Sequence, residues 1–318
     1  MYFLPQQEKN LRESLKMCEL NALIKRNTKL FFKDKGLFFT SLVTPMILLL
    51  LYITFLGKVY RDAFESVING IGIKIPDKLI DACVGGQLMS SLLAVCCVTV
   101  AFCSNMLMVN DKINGTIYDL KITPVKSSVM ALGYYISTLI STLIVCYSAA
   151  AVCFIYLAVV GWYLNISDVF LLLFDVFLLV MFGTALSSII NLYLTSQGQI
   201  SAVGTIVSAG YGFICGAYMP ISQFSETLQK IISLLPGTYG TALLRNHAMQ
   251  SAFREMADIG VQTEIIDGIK SSVDANIDFF GTTVKEPMMH IVLGGTVIIL
   301  VGLYILLHSL RAKKKRVK

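Results

Sequence analysis

The sequence predicts an all-α protein that crosses a membrane several times. Three observations carry this expectation. Apolar residues make up 55% of the 318-residue chain and charged residues only 14%, where a soluble domain carries about a quarter charged. The mean hydropathy is +0.71, more than one soluble core can hide. The apolar residues also gather in runs of the length that crosses the ~30 Å hydrocarbon core of a bilayer.

Six such runs follow one another, at about 37–56, 86–109, 129–158, 168–194, 200–219 and 289–310. Pro45 lies inside the first and should kink it, which a membrane helix tolerates when neighbours re-satisfy its backbone. The third continues to Leu164, longer than one crossing needs, and is expected to tilt. Residues 1–36 form a basic segment ahead of the first run. In it Leu20, Leu23, Ile24, Leu30 and Phe31 recur near a 3.6-residue period, with Lys25, Arg26, Lys29 and Lys33 mostly off that face. This is the pattern of an amphipathic helix lying along a headgroup layer; a plain basic flank is the alternative. No cleavable leader is expected, because a long basic stretch precedes the first apolar run.

Lysine and arginine set the orientation. They cluster before the first span, between spans two and three (Lys112, Lys121, Lys126), and in the tail 311–318. Six crossings bring these segments to one side, so both termini are expected in the cytoplasm of a multi-pass cell-membrane protein. The opposite side fits: loop 57–85 balances its charges, and an insert at about 250–287 is acidic. The net charge of +6 then belongs to loops beside anionic headgroups, and no nucleic-acid partner is implied.

Catalytic signatures are missing. No phosphate-binding G-x-x-x-x-G-K-[ST] loop, metalloprotease H-E-x-x-H or nucleophile-elbow G-x-S-x-G occurs. Eight cysteines without a C-x-x-C or Cys/His cluster, and only His247, His290 and His308, suggest neither a disulfide framework nor a metal site. The chain is expected to be no enzyme, with no catalytic residues and no cofactor of its own.

The most informative polar stretch is 110–127, directly after span two. Gly115 breaks the chain, Thr116 is placed to cap a short helix from Ile117 to Ile122, and Pro124 forbids its continuation. A short helix held between two spans is a stiff lever; a plain loop is the other reading of the same residues.

The run D-K-x-N-G-T-x-x-x-L-x-x-T-P-V, Asp111 to Val125, resembles the intracellular segment of ABC type-2 exporter permeases. A second likeness follows span five: G-A-Y-M-P-I-S-x-F at 216–224, L-Q-K-I-I-S-L-L-P-G-T-Y at 228–239, and A-L-L-R at 242–245. The two occur in the family's order on opposite expected sides. The resemblance implies a six-span permease with external re-entrant helices. It implies a coupling helix for a separate ATP-binding subunit carried by Asp111, Gly115, Thr116, Leu120, Thr123 and Pro124. It also implies an external gate at Pro220, Pro236, Tyr239 and Arg245. ATP and Mg would belong to the partner subunit. The acidic insert departs from the pattern.

Two features remain beside the resemblance. Gly204, Ser208, Gly212 and Gly216 sit four residues apart in span five, a ladder that lets another helix approach closely. It reads as a packing or pathway face, either at a seam with a second permease, identical or related, or within one protomer. In the resembling family spans two and five flank that seam. Asp175 is the one carboxylate well inside a span and calls for a proton-coupling role or a structural one. Glu226 and Arg245 are candidates to pair at the external surface. The expected function is export of an amphipathic or hydrophobic substrate, a drug, peptide or lipid. A polysaccharide exporter permease of the same fold and an ion-coupled secondary transporter are the alternatives.

Overall fold

The structure, a computed structural model, describes residues 4–69 and 75–316. The side chains of Lys9, Arg12, Lys121 and residues 312–316, and the whole of residues Lys74, Val317 and Lys318, lie outside what is described, so their part in the charge pattern has no structural counterpart here.

The chain is helical almost throughout. In order it forms α1 (Leu4–Lys33), α2 (Lys35–Leu51), α3 (Gly57–Asn69), α4 (Asp77–Ile113), α5 (Thr116–Ile122) and α6 (Ser127–Val160), then α7 (Ile166–Tyr193), α8 (Gln197–Ile214), α9 (Glu226–Ile232), α10 (Pro236–Asp258), α11 (Thr263–Ser272) and α12 (Glu286–Arg316). A wide π-type turn over Tyr52–Leu56 joins α2 to α3 without a break. A small antiparallel hairpin, β1 (Ile277–Phe279) and β2 (Thr282–Val284), stands between α11 and α12. Its two linking residues, Phe280 and Gly281, both take positive φ, as a two-residue hairpin loop of this twist requires.

Among the described residues five helices are long and apolar enough to cross a membrane: Lys35–Asp62, α4, α6, α7 and the Glu286–Arg311 part of α12. They coincide with five of the six expected runs. The remaining run is α8, 18 residues long and about 27 Å at 1.5 Å per residue. Its start on Gln197 and Gln199 and its glycines leave it less apolar than the rest.

Helix α4 is the centre of the bundle. It packs against α2, α6, α7, α8 and α10, and 89% of its most apolar stretch is buried, against 17% for α12. Its small residues serve these contacts. A Cβ added at Gly86 would meet the Ala248 carbonyl of α10 at 3.0 Å. On α7, one added at Gly183 would meet the Cys97 carbonyl of α4 at 2.9 Å. Small residues let membrane helices approach backbone to backbone, and here they join helices of one chain. The polar side chains of α4 turn the same way: Asn105 donates to Ser187 and Ser188 of α7 at 3.1 and 2.8 Å. In this chain span two is an interior helix, enclosed by the chain's own neighbours.

Two boundaries differ from the sequence-based expectation. The insert does not begin at 250, because α10 runs unbroken from Pro236 to Asp258 and packs between α4, α7 and α12. Its mixed composition hid it: Arg245, Asn246 and His247 are buried, yet they read as surface residues. The other difference concerns α1. Its buried line is Leu23, Asn27 and Phe31, one helical turn apart. That line packs on α6, with Leu23 against Gly133 at 3.0 Å from where a Cβ would stand. The apolar stripe of the segment therefore meets protein along part of its length.

Candidate functional site

The short helix α5 forms where the sequence places it, with one change in its start. Gly115 takes the cap position at φ 82° and Thr116 is the first helical residue, making no side-chain cap bond. A left-handed residue that turns the chain straight from α4 into α5 favours glycine, so the break and the cap are the same residue. At the other end the Thr123 hydroxyl donates to the Leu120 carbonyl at 2.5 Å, and Pro124 follows.

The residues of α5 divide between two faces. Ile117 is buried with Met108, Met130, Tyr134 and Leu192, and Leu120 packs on that cluster. Leu120 thus holds α5 to the bundle and is not its outward contact. The outward face carries Ile122 at 85% exposure and Tyr118 at 60%, with Asp119, Thr123 and Pro124 also exposed.

The base of α5 is bolted by Asp111 and Lys112, the last charged pair of α4. Asp111 is 5% exposed. It accepts two hydrogen bonds from Arg26 of α1, at 2.8 and 3.1 Å, and one from the Tyr134 hydroxyl of α6 at 2.6 Å. The carboxylate raises the Arg26 guanidinium above its ordinary value, more than partial burial lowers it. Lys112 reaches the opposite way. Its ammonium donates to the carbonyls of Asn191, Leu192 and Leu194 at 2.7, 2.9 and 3.1 Å, where a cation is favoured by the free carbonyls of a helix end. Asp111 is therefore an internal anchor joining α1, α4 and α6.

At the far end of the bundle Arg245 and the turn after Pro220 meet through Asp274, while Pro236 and Tyr239 shape the start of α10. The Arg245 side chain is 1% exposed. It donates to the Gly216 carbonyl at 2.5 Å and pairs with Asp274 at 3.3 Å. Asp274 also accepts from the Ile221 backbone N–H at 2.7 Å, so one carboxylate ties the turn after Pro220 to α10. Burial pushes the Asp274 carboxyl above the usual range, and Arg245 pulls it part of the way back. Arg245 thus pairs with Asp274 and not with Glu226, which is exposed at the start of α9. Pro236 opens α10 at the position where a missing N–H costs nothing. The Tyr239 hydroxyl donates to the Ser233 carbonyl at 2.7 Å, pinning the end of α9 to α10. Burial raises the Tyr239 hydroxyl as well.

The ladder of small residues breaks at its last rung. Gly216 lies beyond the end of α8 with φ 70° and belongs to the Arg245 cluster. Gly212 faces Tyr218, whose ring occupies the place of a Cβ, and Gly204 faces Met106 of α4. The Ser208 carbonyl accepts from the Tyr218 hydroxyl at 3.4 Å. Gly204, Gly212 and Gly216 thus each face side chains of the same chain.

Asp175 is fully buried on α7 and has two histidine partners. His247 of α10 meets one carboxylate oxygen through Nδ1. His290 of α12 meets the other through Nε2 at 2.9 Å. Sequence reading left both histidines without a role, because the three residues stand 72 and 115 positions apart with no local spacing to connect them. The usable signal was that a carboxylate in an apolar run requires a partner at its own depth.

A helical bundle with five helices long and apolar enough to cross a membrane among its described residues has the build of an all-α multi-pass membrane protein. The chain belongs to the ABC-2 type transporter family, whose sequence profile matches residues 19–248, well over half of it. Such a domain is a transport subunit and not itself catalytic, and its family implies an ABC ATP-binding partner. No curated protein matches the chain. Asp274, His290 and all of α11 and α12 lie after the matched stretch.

Proposed function

We propose that this chain is the six-span membrane subunit of an ATP-driven exporter in the cell membrane, with both termini and α5 in the cytoplasm. A separate ATP-binding subunit docks on the outward face of α5. The observation that carries this reading is the two-sided construction of α5. Ile117 and Leu120 fasten it to the bundle, while Ile122 and Tyr118 stand out from it. Burying an exposed isoleucine contributes on the order of 1.5–3 kcal/mol, enough to make Ile122 an anchor for a partner. A push on α5 passes into α4 through Gly115 and into α6 through the short 123–126 link. The Arg26–Asp111–Tyr134 bonds carry it to α1. The partner's two nucleotide states then bias two packings of the bundle, as a coupled equilibrium requires.

The cargo is amphipathic or hydrophobic. The exposed face of α8 offers Ile206, Phe213 and Ile214 and no charged side chain. That face pairs with a second permease copy or paralogue across the pathway. The experiment is transport of a membrane-partitioning dye in proteoliposomes holding the permease and its ATP-binding subunit. Export requires ATP hydrolysis, survives collapse of the proton gradient, and is lost in Ile122→Asp. Uptake driven by an ion gradient with no ATP-binding subunit present contradicts the proposal.

A further inference from the structure

The Asp175 cluster has a feature that neither packing nor the lever explains. Both ring nitrogens of His290 face acceptors. Nε2 lies 2.9 Å from Asp175 Oδ1, and Nδ1 lies 3.1 Å from the Glu286 backbone carbonyl. A carbonyl cannot donate, so Nδ1 must carry a proton. The Asp175 contact then needs a second proton, because a bare Nε2 lone pair and a carboxylate oxygen at that distance repel. On the other oxygen Asp175 accepts from His247 Nδ1.

We propose that Asp175, His247 and His290 form a proton-binding clamp that fastens α7, α10 and α12 together. The clamp's proton is held on His290 and balanced by the Asp175 carboxylate, whose other oxygen meets His247 Nδ1. Among the described residues no group of three or more His, Cys, Asp or Glu side chains is placed to hold a metal ion, which leaves the proton as the ligand. Few other groups come near the clamp. Glu286 of α12 stands 4.0 Å from His247 Nε2, beyond hydrogen-bond reach and with its side chain 40% exposed to water. From α4, the Cys97 thiol contacts the Val176 carbonyl. From α6, the Tyr147 hydroxyl contacts the Leu173 carbonyl. Two helical turns back along α7, Asp168 is already neutralised by Arg254. Among the described residues no Lys or Arg pairs with Asp175, so the His290 proton is the charge that makes burial of this carboxylate tolerable.

Protons reach the site from one side. The His290 side chain is 24% exposed while Asp175 is not exposed at all. A cleft of about 730 Å³, lined in part by Asn246, Lys285, Glu286 and Met289, opens beside it. Loss of the proton leaves either the carboxylate or the helix carbonyl of α12 without its donor, so α12 loosens from α7 and α10. The clamp therefore makes packing at this end of the bundle depend on pH.

The test is nitrogen-15 spectroscopy of the ring nitrogens in the full chain, labelled on histidine and held in lipid nanodiscs. The sequence has three histidines, so His247→Gln, His290→Gln and His308→Gln assign the signals. The expected result is a His290 ring still protonated on both nitrogens at pH 7.5, where a free histidine, with its pKa of about 6.5, is mostly neutral. In Asp175→Asn that ring turns neutral at the same pH. A neutral His290 at pH 7.5 in the unmodified chain overturns the proposal, whether or not the Asp175 variant folds. A second readout uses thermal unfolding between pH 6 and 9. The melting temperature falls with rising pH in the unmodified chain and much less in His290→Gln. An equal fall in both also overturns it.

Discussion

The two ends of the bundle handle charge in opposite ways. At the α5 end, Lys112 and Arg311 donate to the carbonyls that end α7, and Arg26, inside α1, pairs with Asp111 while partly open to water. The Arg26 side chain is 30% exposed, and Arg311 donates to the Leu192 carbonyl at 2.5 Å. At the α10 end the innermost charges are dry. Arg245 and Asp274 are 1% and 6% exposed at the side chain, and Asp175 is fully buried between two histidines. A half-wet cluster yields when its neighbours move, because water replaces a lost partner. A dry pair does not, because a single buried charge left behind is costly. The difference suits an end that receives a push and an end that holds shut until the whole bundle repacks.

Substitutions at the two ends can break or sharpen that contrast. The largest effect belongs to Arg245→Ala, which strands Asp274 in a dry site and costs about 3–5 kcal/mol. Thermal unfolding in detergent should show little folded protein. The double variant Arg245→Met with Asp274→Leu should recover much of the loss, since an apolar pair of similar volume is tolerated. Leu120→Asp comes next, because it pushes a charge into the Met108–Ile117–Met130 cluster. It is expected to cost about 2 kcal/mol, read as a lowered melting temperature. Gly212→Leu forces the Tyr218 ring aside, at about 1–3 kcal/mol of overpacking by the same measurement. Arg26→Ala leaves the buried Asp111 with the Tyr134 hydroxyl as donor and opens it to water on the side where Arg26 is exposed, and should cost about 1–3 kcal/mol. A loss there as large as that of Arg245→Ala would erase the contrast. Ile122→Asp is expected to change stability by less than about 0.5 kcal/mol and to act only on binding of the ATP-binding subunit, measured by co-purification.

Legibility in the sequence followed the range of the interaction. The apolar runs are local signals, and five of them became long helices. Gly115 and Pro124 bracket a segment of seven helical residues, again local, so α5 was readable almost to the residue. What α5 does with each side chain was not readable. The inward turn of Leu120 depends on Met130, Tyr134 and Leu192, which arrive from other helices. The resemblance puts Asp111 in the coupling segment, and its inward bonds come from Arg26 of α1 and Tyr134 of α6, which no local pattern announces. Helix α10 was missed as a bundle member because its apolar residues alternate with Arg245, Asn246 and His247. Those polar groups are satisfied by Asp274, the Ala275 carbonyl and Asp175, far away along the chain. The ladder of span five was visible as spacing, but the helix ends at Ile214, two residues before its last rung.

The central claim is that α5 receives work from a separate ATP-binding subunit. The most direct measurement compares ATP-dependent dye export in proteoliposomes containing that subunit with either the unmodified permease or Ile122→Asp, at equal melting temperature and equal membrane insertion. Export by the unmodified pair and none by the variant, with the variant's folding intact, is the result predicted here. Equal export by both would contradict the account, for then the exposed face of α5 takes no part in driving transport.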